Sequence, residues 1–141
     1  MENCKHTIPV QIRFNDIDSL GHVNNAIYLC YFDLGKSQYF QHIKKKIIDW
    51  TQIDIVVANV NIDYFKPTYF NESLEVKTRV HNIGNKSLKM VQYLINRETG
   101  DLKSICHTVM VGYDPETKTS KIISDDWRQA ISEYEEFKGD K

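Results

Sequence analysis

Asp16, Asp18, Ser19, Gly21, His22, Asn24 and Asn25 crowd one short polar run between two apolar stretches, DIDSLGHVNN. Carboxylates, an imidazole and a hydroxyl so close together permit three kinds of chemistry. They can hold a cation. They can activate a serine or cysteine nucleophile. Or a carboxylate can act beside the first N–H groups of a helix, which lack intrahelical partners and carry the positive end of the helix dipole.

Spacing removes most of the first two. Asp16, Asp18 and Gly21 begin as a calcium loop does. However, Leu20 occupies a ligand position and Ile27 falls where the closing glutamate is required. A transition-metal set of Asp16, Asp18 and His22 needs no fixed spacing, but nothing else in the sequence strengthens it, and no metal or other cofactor is expected. Ser19 has no G-x-S-x-G elbow around it. Cys30 and Cys106 fall in a helix and a strand pattern, where thiols are ordinarily buried and inert.

The third kind suits an acyl carbonyl, which needs an attacking group and donors aimed at the developing oxyanion. The amides from about His22 to Asn25 can be the donors, and Asp18 the nucleophile or the general base for water. A thioester fits best, because its carbonyl is electrophilic and its thiolate leaves readily. A structural reading competes on equal terms: Asp16 and Asp18 cap the helix while Asn24 and Asn25 satisfy its turns. His22 would then only orient the loop, and Tyr28 would belong to the core.

The neighbouring elements must hold this run in place. Ile8, Val10, Ile12 and Phe14 alternate as a strand over Thr7–Phe14. Asn24 is a good N-cap, and Ile27, Tyr28, Tyr31, Phe32, Gly35, Tyr39 and Phe40 recur at helical spacing. Gly35 predicts close backbone packing there. Lys44, Lys45 and Lys46 read as a solvated helix end, with a phosphate-binding patch as the alternative. Ile53–Tyr64 alternates with a phase shift at Ala58 and Asn59, which predicts a bulge. Strands follow from Leu74, over Ser87–Asn96 and over Leu102–Tyr113, separated by turn signals at 82–86 and 99–101. Lys121–Ile123 predicts a brief further strand, Ser124 starts a short helix, and Gly139–Lys141 is expected to fray. The pattern predicts an α+β fold in which a long aromatic helix buries its face on an antiparallel meander.

The chain has 141 residues and no internal repeat, so one domain, 1–141, is expected. A net charge of −1 argues against nucleic acid and acidic membranes as partners. Three widely spaced cysteines and no apolar leader suit a cytoplasmic protein.

The run from Arg13 to Asp33, R-F-x-D-x-D-x-x-G-H-V-N-N-x-x-Y-x-x-Y-F-D, resembles the 4-hydroxybenzoyl-CoA thioesterase-like branch of the hotdog acyl-CoA thioesterases. N-x-x-Y-F-K-P-T from Asn61 and G-N-K-S-L from Gly84 resemble weaker motifs of that family. The resemblance implies a hotdog fold: a long central helix wrapped by a curved antiparallel sheet, with a short C-terminal helix. It implies an acyl-CoA substrate, or an acyl carrier protein as carrier, and homodimers or homotetramers with active sites at the interface. By the same resemblance Asp18 is the catalytic carboxylate, the amide of Asn25 polarises the carbonyl, and His22, Asn24 and Tyr28 shape the acyl pocket. Asp16 joins the substrate-binding set, with holding the loop as its main role. Lys66, Lys86 and Ser87 lie near positions that face CoA. Relatives commonly carry arginine where this chain has Lys36, which loses bidentate geometry. The alternative function is a hotdog module that binds an acyl-CoA or acyl carrier protein without turnover. A hotdog dehydratase would need its catalytic histidine elsewhere, on the helix.

Overall fold

A computed structural model describes residues 4–137. Its elements are β1 (His6–Val10), α1 (Asn25–Lys44), β2 (Ile55–Tyr64), β3 (Leu74–Ile83), β4 (Ser87–Asn96), β5 (Leu102–Asp114), β6 (Thr119–Lys121) and α2 (Asp125–Glu135). The strands form one antiparallel sheet in the order β1-β3-β4-β5-β2, with β6 on the end of β5. The long helix lies across one face, which is the hotdog arrangement. The expected fraying at Gly139–Lys141 lies outside the described residues.

α1 starts where its cap dictates. Asn24 is extended, and its side chain accepts the Ala26 N–H at 2.8 Å. The helix ends at Lys45, which takes the left-handed conformation at φ 59°. Tyr28, Tyr31, Phe32, Gly35, Tyr39, Phe40 and Ile43 are its buried face. A Cβ on Gly35 would come within 2.6 Å of Val76 Cγ1, so helix and sheet touch through that gap. Beside it Gln92 donates to the Phe32 carbonyl at 2.8 Å and to Thr78 Oγ1 at 3.0 Å. This polar seam divides the core. One apolar cluster gathers Tyr39, Phe40, Met90 and the α2 residues Trp127 and Ile131. The other gathers Val23, Tyr28, Tyr31, Phe32 and Leu94 beneath the polar loop.

The sequence reading needs three corrections. β2 does not neighbour β3 in a meander. Both edges of β3 are taken by β1 and β4, so residues 65–73 carry the chain away from β2, which pairs with β5 instead. The first strand stops at Val10, opposite the first residue of β3, Leu74. Beyond it Phe14 is not inward but 79% exposed, because Asp16 draws the chain into a 3-10 turn over Phe14–Asp16. The brief strand after β5 is Thr119–Lys121, earlier than expected. The bulge in β2 falls between Val57 and Asn59, as the phase shift implied. Lys44 stands 4.6 Å from the Trp127 ring centroid, so the first of the three lysines at the helix end packs on α2.

Candidate active site

The polar loop is built around Asp16. Its side chain is 1% exposed. One oxygen accepts the Tyr31 hydroxyl at 2.6 Å and the Arg13 N–H at 2.9 Å, and the Arg13 guanidinium lies 3.3 Å from the other. Burial alone would raise the pKa of this carboxyl. The Tyr31 and Arg13 donors outweigh burial and hold it below the usual range. Tyr31 moves the other way: burial and the adjacent carboxylate push its phenol well up. Asp16 therefore fastens the loop from inside and does not line the cleft, which corrects its place in the substrate-binding set.

The loop itself closes on an antiparallel bridge between Ile17 and Val23. The Asp18 N–H donates to the His22 carbonyl at 3.0 Å, and the Gly21 N–H to the Asp18 carbonyl at 3.0 Å. Gly21 sits at φ 88°, a conformation that glycine adopts without strain. The Asp18 side chain is half-buried, and its Oδ1 accepts the Leu20 N–H at 2.9 Å. Its Oδ2 accepts no hydrogen bond among the described residues.

The amides sort themselves further. Val23 N–H donates to the Thr68 carbonyl at 2.8 Å, and Asn24 N–H to the Asp16 carbonyl at 2.9 Å. Ala26 N–H is taken by the Asn24 side chain and Ile27 N–H by the Asn24 carbonyl. Among the described residues, the His22 and Asn25 N–H groups in that stretch have no such partner. The expected group of donors from His22 to Asn25 thus narrows: Val23 and Asn24 are committed elsewhere, and His22 and Asn25 are open, Asn25 at the first position of α1.

Asn25 lines a cleft of about 230 Å³ with His22, Tyr28, Tyr64, Phe65, Lys66 and Pro67. Tyr28 is buried; its hydroxyl lies 2.9 Å from Thr68 Oγ1, and its ring meets Tyr64 edge-on at 4.9 Å. The Tyr64 hydroxyl donates to the Asn25 carbonyl at 3.0 Å. The His22 ring stands 6.3 Å from that of Tyr69, and its Nδ1 lies 3.4 Å from the Val23 carbonyl. Lys66 pairs with Asp101 at 3.1 Å. Asp18 is not among the cleft-lining residues; it is tied to them through the His22 carbonyl.

His22, Asn25, Tyr28 and Lys66 are therefore brought together, with Asp18 and Asn24 adjoining. Lys86 and Ser87 are not. They sit at the β3–β4 turn, level with Val111 of β5, whereas Tyr64 is level with Ser104. Seven residues of strand, roughly 23 Å, separate the two rows. Lys36 forms a single ion pair with Asp33 at 3.2 Å on the helix, apart from the cleft lining. The sequence reading left Pro67 and Phe65 without a role in the cleft wall; the Y-F-K-P run was the available signal. Among the described residues, no three His, Cys, Asp or Glu side chains gather as a metal-binding group.

Comparison with known proteins bears on the chain's family and fold. A family model, the thioesterase-like superfamily, matches residues 12–131. The acyl-CoA thioester hydrolase YbgC of Escherichia coli is 23% identical over 109 residues, covering 76% of this chain and 81% of that protein. The long-chain acyl-CoA thioesterase FadM of Escherichia coli is 23% identical over 130 residues, covering 88% and 95%. A Thermus thermophilus thioesterase, crystallised with coenzyme A and zinc, superposes with a TM-score of 0.84 at 30% identity, over 96% of this chain and 98% of that one.

Proposed function

We propose that this chain, which belongs to the thioesterase-like superfamily, hydrolyses acyl-CoA thioesters at the α1 N-terminus, with Asp18 as the acting carboxylate. The enzyme class is supported by the family match, by the acyl-CoA hydrolases among its relatives and by the coenzyme A complex of the Thermus protein. The observation that carries the mechanism is the Asn25 N–H: an open donor on a cleft wall at the start of α1, where Val23, Asn24, Ala26 and Ile27 are all engaged.

The acyl carbonyl oxygen lies at the Asn25 N–H and the positive end of α1. Asp18 takes a proton from water as the water oxygen bonds to the carbonyl carbon; alternatively its own oxygen adds first, the thiolate leaves, and water then cleaves the resulting mixed anhydride to free acid and the Asp18 carboxylate. The negative charge passes to the carbonyl oxygen and is held there by the amide. As the carbonyl re-forms, the C–S bond breaks, and CoA leaves as a thiolate that takes up the proton. His22 and Asn24 shape the loop and cap the helix, while Tyr28, Tyr64 and Phe65 offer an apolar wall for the acyl group.

Lys86 and Ser87 enter this reading through a homodimer. β2 pairs on one side only among the described residues, and Val57, Val60 and Tyr64 are exposed along it. Such an edge invites a second strand. Ser87 and Val56 both register with Val111. Antiparallel pairing of two β2 strands about their centres lays the Val56 end of a second copy beside the Tyr64 end of the first. The Lys86–Ser87 turn of that copy then lies three strand spacings away, about 14 Å, within reach of an extended CoA moiety.

The test is a panel of aromatic and aliphatic acyl-CoAs assayed for free thiol. Steady thiol release from at least one is expected. Tight binding of intact acyl-CoA with no release would overturn hydrolysis in favour of a binding module.

A further inference from the structure

Lys103, near the start of β5, is only 4% exposed. Lysine is almost never that deep unless paired. Its Nζ lies 2.7 Å from Glu72 Oε1 and donates to the Pro67 carbonyl at 3.0 Å. Its own carbonyl accepts the Phe65 N–H at 2.9 Å. A buried ion pair of this kind is weak as a source of stability, since apolar residues of similar volume often serve as well. What it does here is fix the position of the 65–73 loop. Lys103 grips the loop's start by main chain and side chain. It reaches the far end through Glu72, whose other oxygen accepts the Tyr69 N–H at 3.3 Å.

Between these two anchors stands Thr68, which is fully buried. Its carbonyl accepts the Val23 N–H at 2.8 Å, and its hydroxyl meets that of Tyr28 at 2.9 Å. Val23 closes the loop that carries Asp18 and lies two residues before Asn25. Pro67, bonded directly to Lys103, is itself a cleft wall. A continuous chain of contacts thus runs from Lys103 through Pro67 and Thr68 to Val23, and so to both Asp18 and the open Asn25 amide.

We propose that Lys103 is a positioning residue of the hydrolytic site, holding the 65–73 loop so that Thr68 keeps Val23, Asp18 and the Asn25 amide in register. The proposal rests on the thioesterase reading above. Small misplacements of reacting groups cost up to about a hundredfold in rate, so the effect falls on kcat.

The test compares the intact protein with Lys103→Met and with the charge-free pair Lys103→Met/Glu72→Met. The pair avoids a lone buried carboxylate, and it carries the test if the single variant does not fold. Amide exchange of Val23 is followed by NMR, with the Met90 amide of β4 as reference. Kinetics are read on the best acyl-CoA. The Val23 amide is expected to exchange at least tenfold faster with Met90 unchanged, and kcat to fall at least tenfold with KM within threefold. A Val23 exchange rate or a kcat that stays at the wild-type value in the folded pair overturns the proposal. The exchange measurement needs no substrate. Absence of thiol release by the wild-type protein therefore sinks the thioesterase reading alone, and an unaccelerated Val23 amide sinks the Lys103 role alone.

Discussion

Tyr31→Phe removes one oxygen atom and tests what holds the polar loop before α1. The Tyr31 hydroxyl donates to the buried Asp16 carboxylate at 2.6 Å. A hydrogen bond to a charged group contributes about 1.5–3 kcal/mol. Phenylalanine leaves no orphaned donor, and Asp16 keeps the Arg13 N–H. The loss should therefore sit near the middle of that range, about 2 kcal/mol. With a urea m-value of about 2 kcal/mol/M for a domain of this size, the unfolding midpoint falls by about 1 M. Trp50 and Trp127 supply the fluorescence signal. The pH dependence gives a second reading. The folded carboxyl titrates below its unfolded counterpart, so its stabilisation is full above the ordinary carboxylate pKa and is lost as pH falls through the folded value. Without the Tyr31 donor the folded pKa rises, and the loss of stability from about pH 5 to pH 3 becomes shallower. A midpoint shift below about 0.2 M would show that Asp16 is held without Tyr31, and would refute the reasoning.

Two further variants probe the scaffold. Gly35→Ala puts a Cβ at 2.6 Å from Val76 Cγ1 and 3.1 Å from Gln92 Nε2; overpacking at the upper end of about 1–3 kcal/mol, less a helix-propensity gain of about 1 kcal/mol, leaves a loss of about 1–2 kcal/mol, so calorimetry should show Tm lower by about 3–7 °C, and a raised Tm would contradict the close contact. His6 is buried against Tyr39 and His42, and burial, then the His42 charge, hold its pKa below the usual value. Its neutral form is favoured in the folded state, so stability falls as pH drops through the ordinary histidine pKa toward the folded one. His6→Phe should flatten the Tm decline between about pH 7 and pH 5, whereas an unchanged slope would assign that decline to other groups. Glu135, whose pKa burial raises, contributes with the opposite sign and is common to the wild-type protein and the variant, so it cancels in the comparison.

Local chemistry was legible wherever one residue decides a local conformation. The Asn24 and Ser124 caps, the Gly35 contact, the β2 bulge and the limits of β4 follow from side chains within a turn or two of the feature. What was not legible depends on partners distant in the chain. Alternation tells which face of a strand is buried, not which strand lies beside it, so the pairing of β2 with β5 could not be read. Phe14 fitted the alternation, yet the buried Asp16 carboxylate turned the chain before it. In the candidate site, the polar run lies at the N-terminus of α1, where its cap residue Asn24 placed it. Which amides stay open depends on the Thr68 and Asp16 carbonyls, and the first of these arrives from the far side of β2. Lys103 carried no signal at all: a lysine in an alternating strand reads as solvated, and only its depth shows otherwise.

The central claim is that Asp18 does the chemistry and that the loop exists to present it. Asp18→Asn keeps size and the Leu20 N–H acceptor while removing the base and nucleophile. Thiol release by this variant, measured against the same acyl-CoA panel, should fall on the order of a hundredfold or more, with the urea midpoint unchanged. Turnover near that of the wild-type protein would contradict the account.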